Sequence, residues 1–288
     1  MVLLVAGARA FGRYRDQISR IVGDARRRVL TSPQYAALRE RFPRLRSFVA
    51  ARFARGEYLG LHLTVGFLVS VAALMLFAAV TEDVVRHEPL TVVDLQLLSW
   101  IRSHATPTGD RIAMGISTAG GPTAMTIMGL VVAIVLAVRQ WWITLAGWIA
   151  ALAGGGALDW LLKVIIRRPR PVGAEQFLQG HSFSFPSGHS MGSLVGLGML
   201  AYVLMVFWLP ARRYRTPVVV VALGGVLLIG ASRMYLGVHY LSDVIAGFAA
   251  GAVWLAACVT GIEIALRQRG LTTWESTVKR ADPGVSDA

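Results

Sequence analysis

Six long, nearly unbroken apolar stretches constrain this chain more than any other feature. They run over Leu59–Val80, Ile112–Val138, Trp141–Leu162, Met191–Leu209, Val218–Ala231 (running on to about Leu236) and Val244–Leu266. A helix that crosses the hydrocarbon core of a bilayer needs roughly 20 mostly apolar residues, which is the length of each stretch. None alternates apolar with polar residues as a half-buried strand does, and Ala, Gly and Leu dominate. The backbone of a spanning segment must satisfy its own hydrogen bonds in lipid, and a helix does so. The fold class expected is therefore all-α: a polytopic six-helix membrane bundle. At 55% hydrophobic and 16% charged residues, the chain is too apolar for a disordered or ordinary soluble protein. Cys258 is the one cysteine, so neither an internal disulfide nor a thiolate zinc cluster can form within the chain.

The net charge of +13 is distributed unevenly about these stretches. Thirteen arginines and four acids precede the first of them. If the stretches cross the bilayer in turn, 21 of the 29 basic residues lie on the N-terminal side and eight on the other. The positive-inside rule then predicts a plasma (inner) membrane protein with both termini in the cytoplasm. Three parts are expected: a basic arm over residues 1–58, the membrane domain over 59–266, and a polar cytoplasmic tail over 267–288. Phe42, Leu45, Phe48, Val49 and Phe53 between the arginines fit an amphipathic helix on anionic lipid. They fit equally a solvated arm without a specific partner. No stacking motif accompanies the charge, so nucleic acid is not an expected partner. The short apolar run at the N-terminus turns basic too early for a cleavable signal peptide. In the first outside loop, Val93, Leu97, Trp100 and Ile101 recur at helical spacing and predict an interfacial helix.

Ionisable residues at the ends of spans are costly and mark function. Here they gather in three short segments: Lys163–Pro171 (KVIIRRPRP), Pro186–His189 (PSGH) and Ser232–Asp243 (SRMYLGVHYLSD). The first closes span three, the second opens span four, and the third joins span five to span six. All three must emerge on one face of the membrane, the outer or periplasmic face in the predicted orientation. Together they offer Lys163, Arg170, Arg233, two histidines, three serines and the single carboxylate Asp243, a set suited to an anion. Arginine forks match phosphate oxygens in pairs, and lysine adds a point charge. Ser187 and Gly188 directly precede an apolar helix, whose free N–H groups favour phosphate. His239 and Asp243 stand four residues apart on one helical face, where the carboxylate can fix the imidazole tautomer.

Each residue also has a plainer reading. A histidine at a helix end can be structural, and Arg167 and Arg168 can be outer-face charges that bind lipid headgroups. Asp159, one turn before Lys163, reads as its ion-pair partner. Spacing alone would allow a His/His/Asp metal site, but three cationic side chains around it would repel a divalent ion.

At these residues the sequence resembles the type 2 phosphatidic acid phosphatase superfamily. That family carries K-x6-R-P, P-S-G-H and S-R-x5-H-x3-D. Here they read Lys163-x6-Arg170-Pro171, Pro186-Ser187-Gly188-His189 and Ser232-Arg233-x5-His239-x3-Asp243, in that order. The resemblance covers about Leu59 to Leu266 and leaves the basic arm outside it. It implies that His239 is a nucleophile forming a phosphohistidine and that Asp243 orients it. His189 would be the acid that protonates the leaving oxygen. Lys163, Arg170, Arg233, Ser187 and Gly188 would hold the phosphate, with no metal and no cofactor. The implied activity is an integral membrane phosphohydrolase of a lipid phosphate or diphosphate, in the phosphatidate, phosphatidylglycerophosphate, diacylglycerol pyrophosphate or undecaprenyl diphosphate class. Two alternatives use the same residues: a lipid phosphotransferase, and a non-catalytic membrane protein that binds an anion or phospholipid. The family's soluble vanadate haloperoxidases share the signature, and the six spans weigh against that chemistry. Oligomeric state is not readable from the sequence.

Overall fold

A computed structural model describes residues 58–177, 182–209 and 212–269. The basic arm before Tyr58 and the tail beyond Arg269 lie outside the described residues. The chain divides into two compact units, 1–61 and 62–288, and the helical bundle with its polar site belongs to the second. The described residues form eight α-helices. These are α1 (Tyr58–Arg86), α2 (Pro89–Ser103), α3 (Pro107–Ala119), α4 (Pro122–Val138), α5 (Trp142–Ile166), α6 (Gly188–Val203), α7 (Arg212–Tyr235) and α8 (Leu241–Gln268). Six spans are long and apolar enough to cross a membrane, and α3 and α4 together make one of them.

That second span differs from the expected continuous helix. By composition Pro107–Val138 is one apolar stretch of 32 residues. It breaks at Gly120-Gly121-Pro122, because Pro122 has no N–H to donate and its ring crowds the preceding turn. Pro122 instead starts a new helix at the first position, with Gly121 as its N-cap. α3 begins the same way, with Pro107 following Thr106, whose hydroxyl accepts from the Gly109 N–H at 3.1 Å.

Large apolar side chains point outward along much of the bundle. Phe67, Met75, Ile134, Val138 and Val221 are each more than 60% exposed. A soluble domain does not show water such continuous apolar flanks, whereas a bilayer solvates them. The interior is narrower. Leu136, Trp148, Val195, Met199, Val203 and Ile262 form its main core, between α4, α5, α6 and α8. Trp148 Nε1 donates to the Gly129 carbonyl at 3.0 Å, and the partly buried Trp254 donates from Nε1 to the Ala151 carbonyl at 3.0 Å, so neither indole is left unpaired. α6 and α8 approach closely because Gly247 has no side chain. A Cβ there would lie 2.6 Å from the Ser187 carbonyl oxygen.

The segment between the first two spans does fold into a helix, α2. It is tied to the bundle by Arg102, whose guanidinium donates to Asp110 Oδ1 at 2.8 Å and to the Tyr235 carbonyl at 2.9 Å. One residue of α2, Asp94, is fully buried.

Candidate active site

The three polar segments meet at one end of the bundle. Ser184 N–H donates to the Arg168 carbonyl at 2.9 Å, which ties the chain before α6 to the chain after α5. Ser187 N–H donates to the Asp243 carbonyl at 2.9 Å and ties α6 to α8. Arg170 spans the same junction from its side chain. Its Nε and NH2 reach the carbonyl and hydroxyl of Ser182, both at 2.8 Å, and NH1 reaches the Val238 carbonyl at 2.9 Å.

The tautomer of His239 follows from its partners. Arg170 NH1 lies 3.1 Å from His239 Nε2, and a guanidinium can only donate. Nε2 therefore presents its lone pair, and the proton sits on Nδ1, facing Asp243 Oδ2 at 3.4 Å. The same carboxylate oxygen accepts the Tyr240 N–H at 2.9 Å. His239 and Asp243 are both buried, and burial lowers the His239 pKa from 6.5 to about 4 against the opposing pull of Asp243. The imidazole is thus neutral, with Nε2 unprotonated and accepting from Arg170 NH1. Burial also lowers the pKa of Arg170, and the charges of Asp243 and Asp159 oppose that shift.

A cavity of about 640 Å³ runs between α4, α5 and α6. At its polar end stand Lys163, Arg170, Arg233, Gly188, His189 and His239. At its apolar end stand Met125, Leu130, Ala133, Trp148, Leu152 and Val195. The Lys163 ammonium donates to Asp159 Oδ1 at 2.6 Å, as the spacing predicted, and to the Pro186 carbonyl. Gly188 leaves room for the Asp159 carboxylate, since a Cβ there would lie 2.8 Å from Asp159 Oδ2. Arg233 is buried and donates from NH1 to the Ser117 hydroxyl of α3, while its buried Nε has no partner among the described residues. An unpaired buried donor on a cationic wall is a place an anionic oxygen would fill. His189 borders the break in the second span, with Nε2 3.4 Å from where a Gly121 Cβ would be.

Two sequence readings change. Ser187 does not line the cavity: it is fully buried, and its hydroxyl caps α6, accepting from Ser190 Oγ at 3.0 Å and more distantly from Ser190 N. Arg168 does not face lipid headgroups. Its side chain is 11% exposed and donates to Asp243 Oδ1 at 2.7 Å and to Asp94 Oδ2 at 2.8 Å. Arg167 alone turns outward, since it closes α5 in the left-handed conformation at φ 52°. Neither Asp94 nor Ser117 belongs to any motif, so neither could be singled out from the sequence.

Known proteins fit this geometry. The family model described as the PAP2 superfamily matches residues 140–265. Phosphatidylglycerophosphatase B of Bacillus subtilis is 39% identical over 94 residues, 33% of this chain and 46% of that protein. Lipid A 1-phosphatase of Rhizobium johnstonii is 41% identical over 106 residues, 34% of this chain and 39% of that protein. The chain thus spans less than half the length of these curated relatives. A crystal structure of a transmembrane PAP2-type phosphatidylglycerolphosphate phosphatase from Bacillus subtilis superposes with a TM-score of 0.61 at 25% identity, over 66% of this chain and 94% of that one. Over residues 140–265, which hold Lys163, Arg170, His189, Arg233, His239 and Asp243, this chain with its six candidate membrane spans is similar to the PAP2 superfamily.

Proposed function

We propose that this chain hydrolyses the phosphate of a membrane lipid through a phosphohistidine on His239. The observation that carries the reading is the two-ended cavity: a cationic pocket around a neutral histidine, continuous with an apolar channel. A soluble phosphate ester needs only the first end, and a lipid phosphate uses both. The names of the two curated relatives, each a phosphatase of a lipid, support the same class.

Phosphoryl transfer asks the protein chiefly to position groups and stabilise charge. Lys163, Arg170 and Arg233 hold the non-bridging oxygens, and the unpaired Arg233 Nε gains its partner there. Arg170 NH1 releases the Nε2 lone pair of His239 as it turns to the phosphate. Nε2 then forms a bond to phosphorus as the bond to the lipid oxygen breaks, and His189 gives that oxygen its proton. The positive charge on His239 is held by Asp243 through Nδ1–H. Water next attacks the phosphohistidine while His189 takes back a proton, releasing inorganic phosphate and restoring His239. This scheme uses no metal, and the cationic wall would repel one. α2 lies at the membrane interface, the site faces outward and both termini are cytoplasmic, as the placement of the basic residues supports.

The test is phosphate release in detergent from a panel of phosphatidate, phosphatidylglycerophosphate and undecaprenyl diphosphate. Labelled substrate is supplied with an acceptor lipid. Label appearing as inorganic phosphate supports the hydrolase, and label on the acceptor lipid would replace it with a phosphotransferase. Release from none of the panel would leave a binding protein.

A further inference from the structure

Behind His239, on residues that do not line the cavity, lies a buried chain of charges. Arg168 bridges two carboxylates whose side chains are fully buried. Its NH1 donates to Asp243 Oδ1 at 2.7 Å and its NH2 to Asp94 Oδ2 at 2.8 Å. The guanidinium stacks 4.3 Å from the centre of the Tyr240 ring. Asp94 comes from α2, 149 positions before Asp243 in sequence, and closes the arrangement by accepting from the backbone of Ser242 at 2.9 Å and from the Ser242 hydroxyl. The Ser242 hydroxyl in turn accepts from Arg168 NH1 at 2.7 Å.

A dry ion-pair cluster adds little net stability, because desolvation cancels most of the attraction. What this one does is divide the work of a carboxylate. Asp243 Oδ1 is taken by Arg168, and Oδ2 is left for His239 Nδ1 and Tyr240 N. The carboxylate plane is thereby fixed against the imidazole. Arg168 alone would also neutralise Asp243 and weaken its hold on a developing imidazolium. Asp94 offsets the guanidinium charge, so the full charge of Asp243 stays available to the nucleophile.

We propose that Asp94 and Arg168 are positioning residues that act through Asp243 to orient and electrostatically poise His239. The proposal rests on the phosphohistidine reading above. It makes α2, which holds no signature residue, part of the machinery.

Asp94→Asn and Arg168→Gln test it in the full chain in detergent, with nitrophenyl phosphate as substrate and inorganic phosphate as competitor. Both variants should lose about 10- to 100-fold in kcat, the size typical of outer partners that orient a histidine. The inhibition constant of inorganic phosphate should stay within about threefold, since the phosphate-holding side chains are untouched. Titration of His239, followed by 15N NMR of histidine-labelled protein, supplies a readout that a structural role would not move. Asp243, Arg170, Arg233, His189 and Lys163 remain around it in both variants. Removing the negative charge of Asp94 lowers the titration point, and removing the positive charge of Arg168 raises it. Shifts of the same sign, no shift, or loss of phosphate binding together with kcat would overturn the proposal. If Asp94→Asn does not yield folded protein, Asp94→Glu keeps the charge and must lower kcat without moving the titration; a shift there overturns it equally. An inactive wild type would instead sink the phosphatase reading, whereas an active wild type with undisturbed variants sinks only this one.

Discussion

At the scale of single residues, the site depends on which atom of each group is left free. His239 offers Nε2 because Nδ1 faces Asp243 and because the neighbour of Nε2 can only donate. Its pKa of about 4 keeps it unprotonated well below neutrality. Burial lowers that value while the hydrogen bond and charge of Asp243 raise it, so Asp243→Asn should move the titration below 4 and not above it. A 15N histidine titration checks the sign. Ser117→Ala should act on substrate binding: it removes the acceptor of Arg233 NH1, loosens that guanidinium and raises KM severalfold with a smaller effect on kcat. Steady-state kinetics on one substrate measures both. Much of this was legible in the sequence, because Lys163, Arg170, His189, Arg233 and His239 stand in motifs whose spacing brings them to one end of the bundle. What was not legible depends on backbone turns and distant partners. Arg168 points inward to Asp94 just after Arg167 has closed α5 in the left-handed conformation, and Asp94 and Ser117 stand in no motif of their own segments. Ser187 has the chemistry of a phosphate ligand, yet its hydroxyl accepts from Ser190 Oγ and, more distantly, from Ser190 N–H of its own helix.

Among helices, the critical contact is between α6 and α8, since each carries part of the site. Ser187 N–H reaches the Asp243 carbonyl across it, and Gly247 sits beneath. Gly247→Leu should force the two helices apart and destabilise the protein by about 1–3 kcal/mol, the usual cost of overpacking. Activity should fall with it. Gly224→Leu and Gly261→Leu are the controls, because a Cβ at either position meets nothing within 4 Å. Thermal unfolding in detergent should separate the first variant from the other two. The break between α3 and α4 is the other element-scale finding. Hydropathy reads through it, because Gly-Gly-Pro is apolar enough to pass as span. Hydrogen bonding does not: the chain restarts at Pro122, with Gly121 beside His189.

For the whole molecule, the proposed orientation puts 21 of the 29 basic residues on the cytoplasmic side and eight on the other, five of them in the signature segments. The proposed orientation gives a direct labelling result. In a Cys258→Ser background, Ser103→Cys should react with an impermeant maleimide on intact cells, and Arg139→Cys only after lysis. The reverse pattern would put the site in the cytoplasm. Chelator should leave activity intact if the cationic wall works without a metal, and strong inhibition would contradict that chemistry. The claim on which the rest depends is covalent transfer to His239. Rapid quench of the enzyme with 32P-labelled substrate should trap an acid-labile, alkali-stable label on the peptide containing His239, absent from His239→Ala. Turnover without such a label, or a label that persists in His239→Ala, would contradict it.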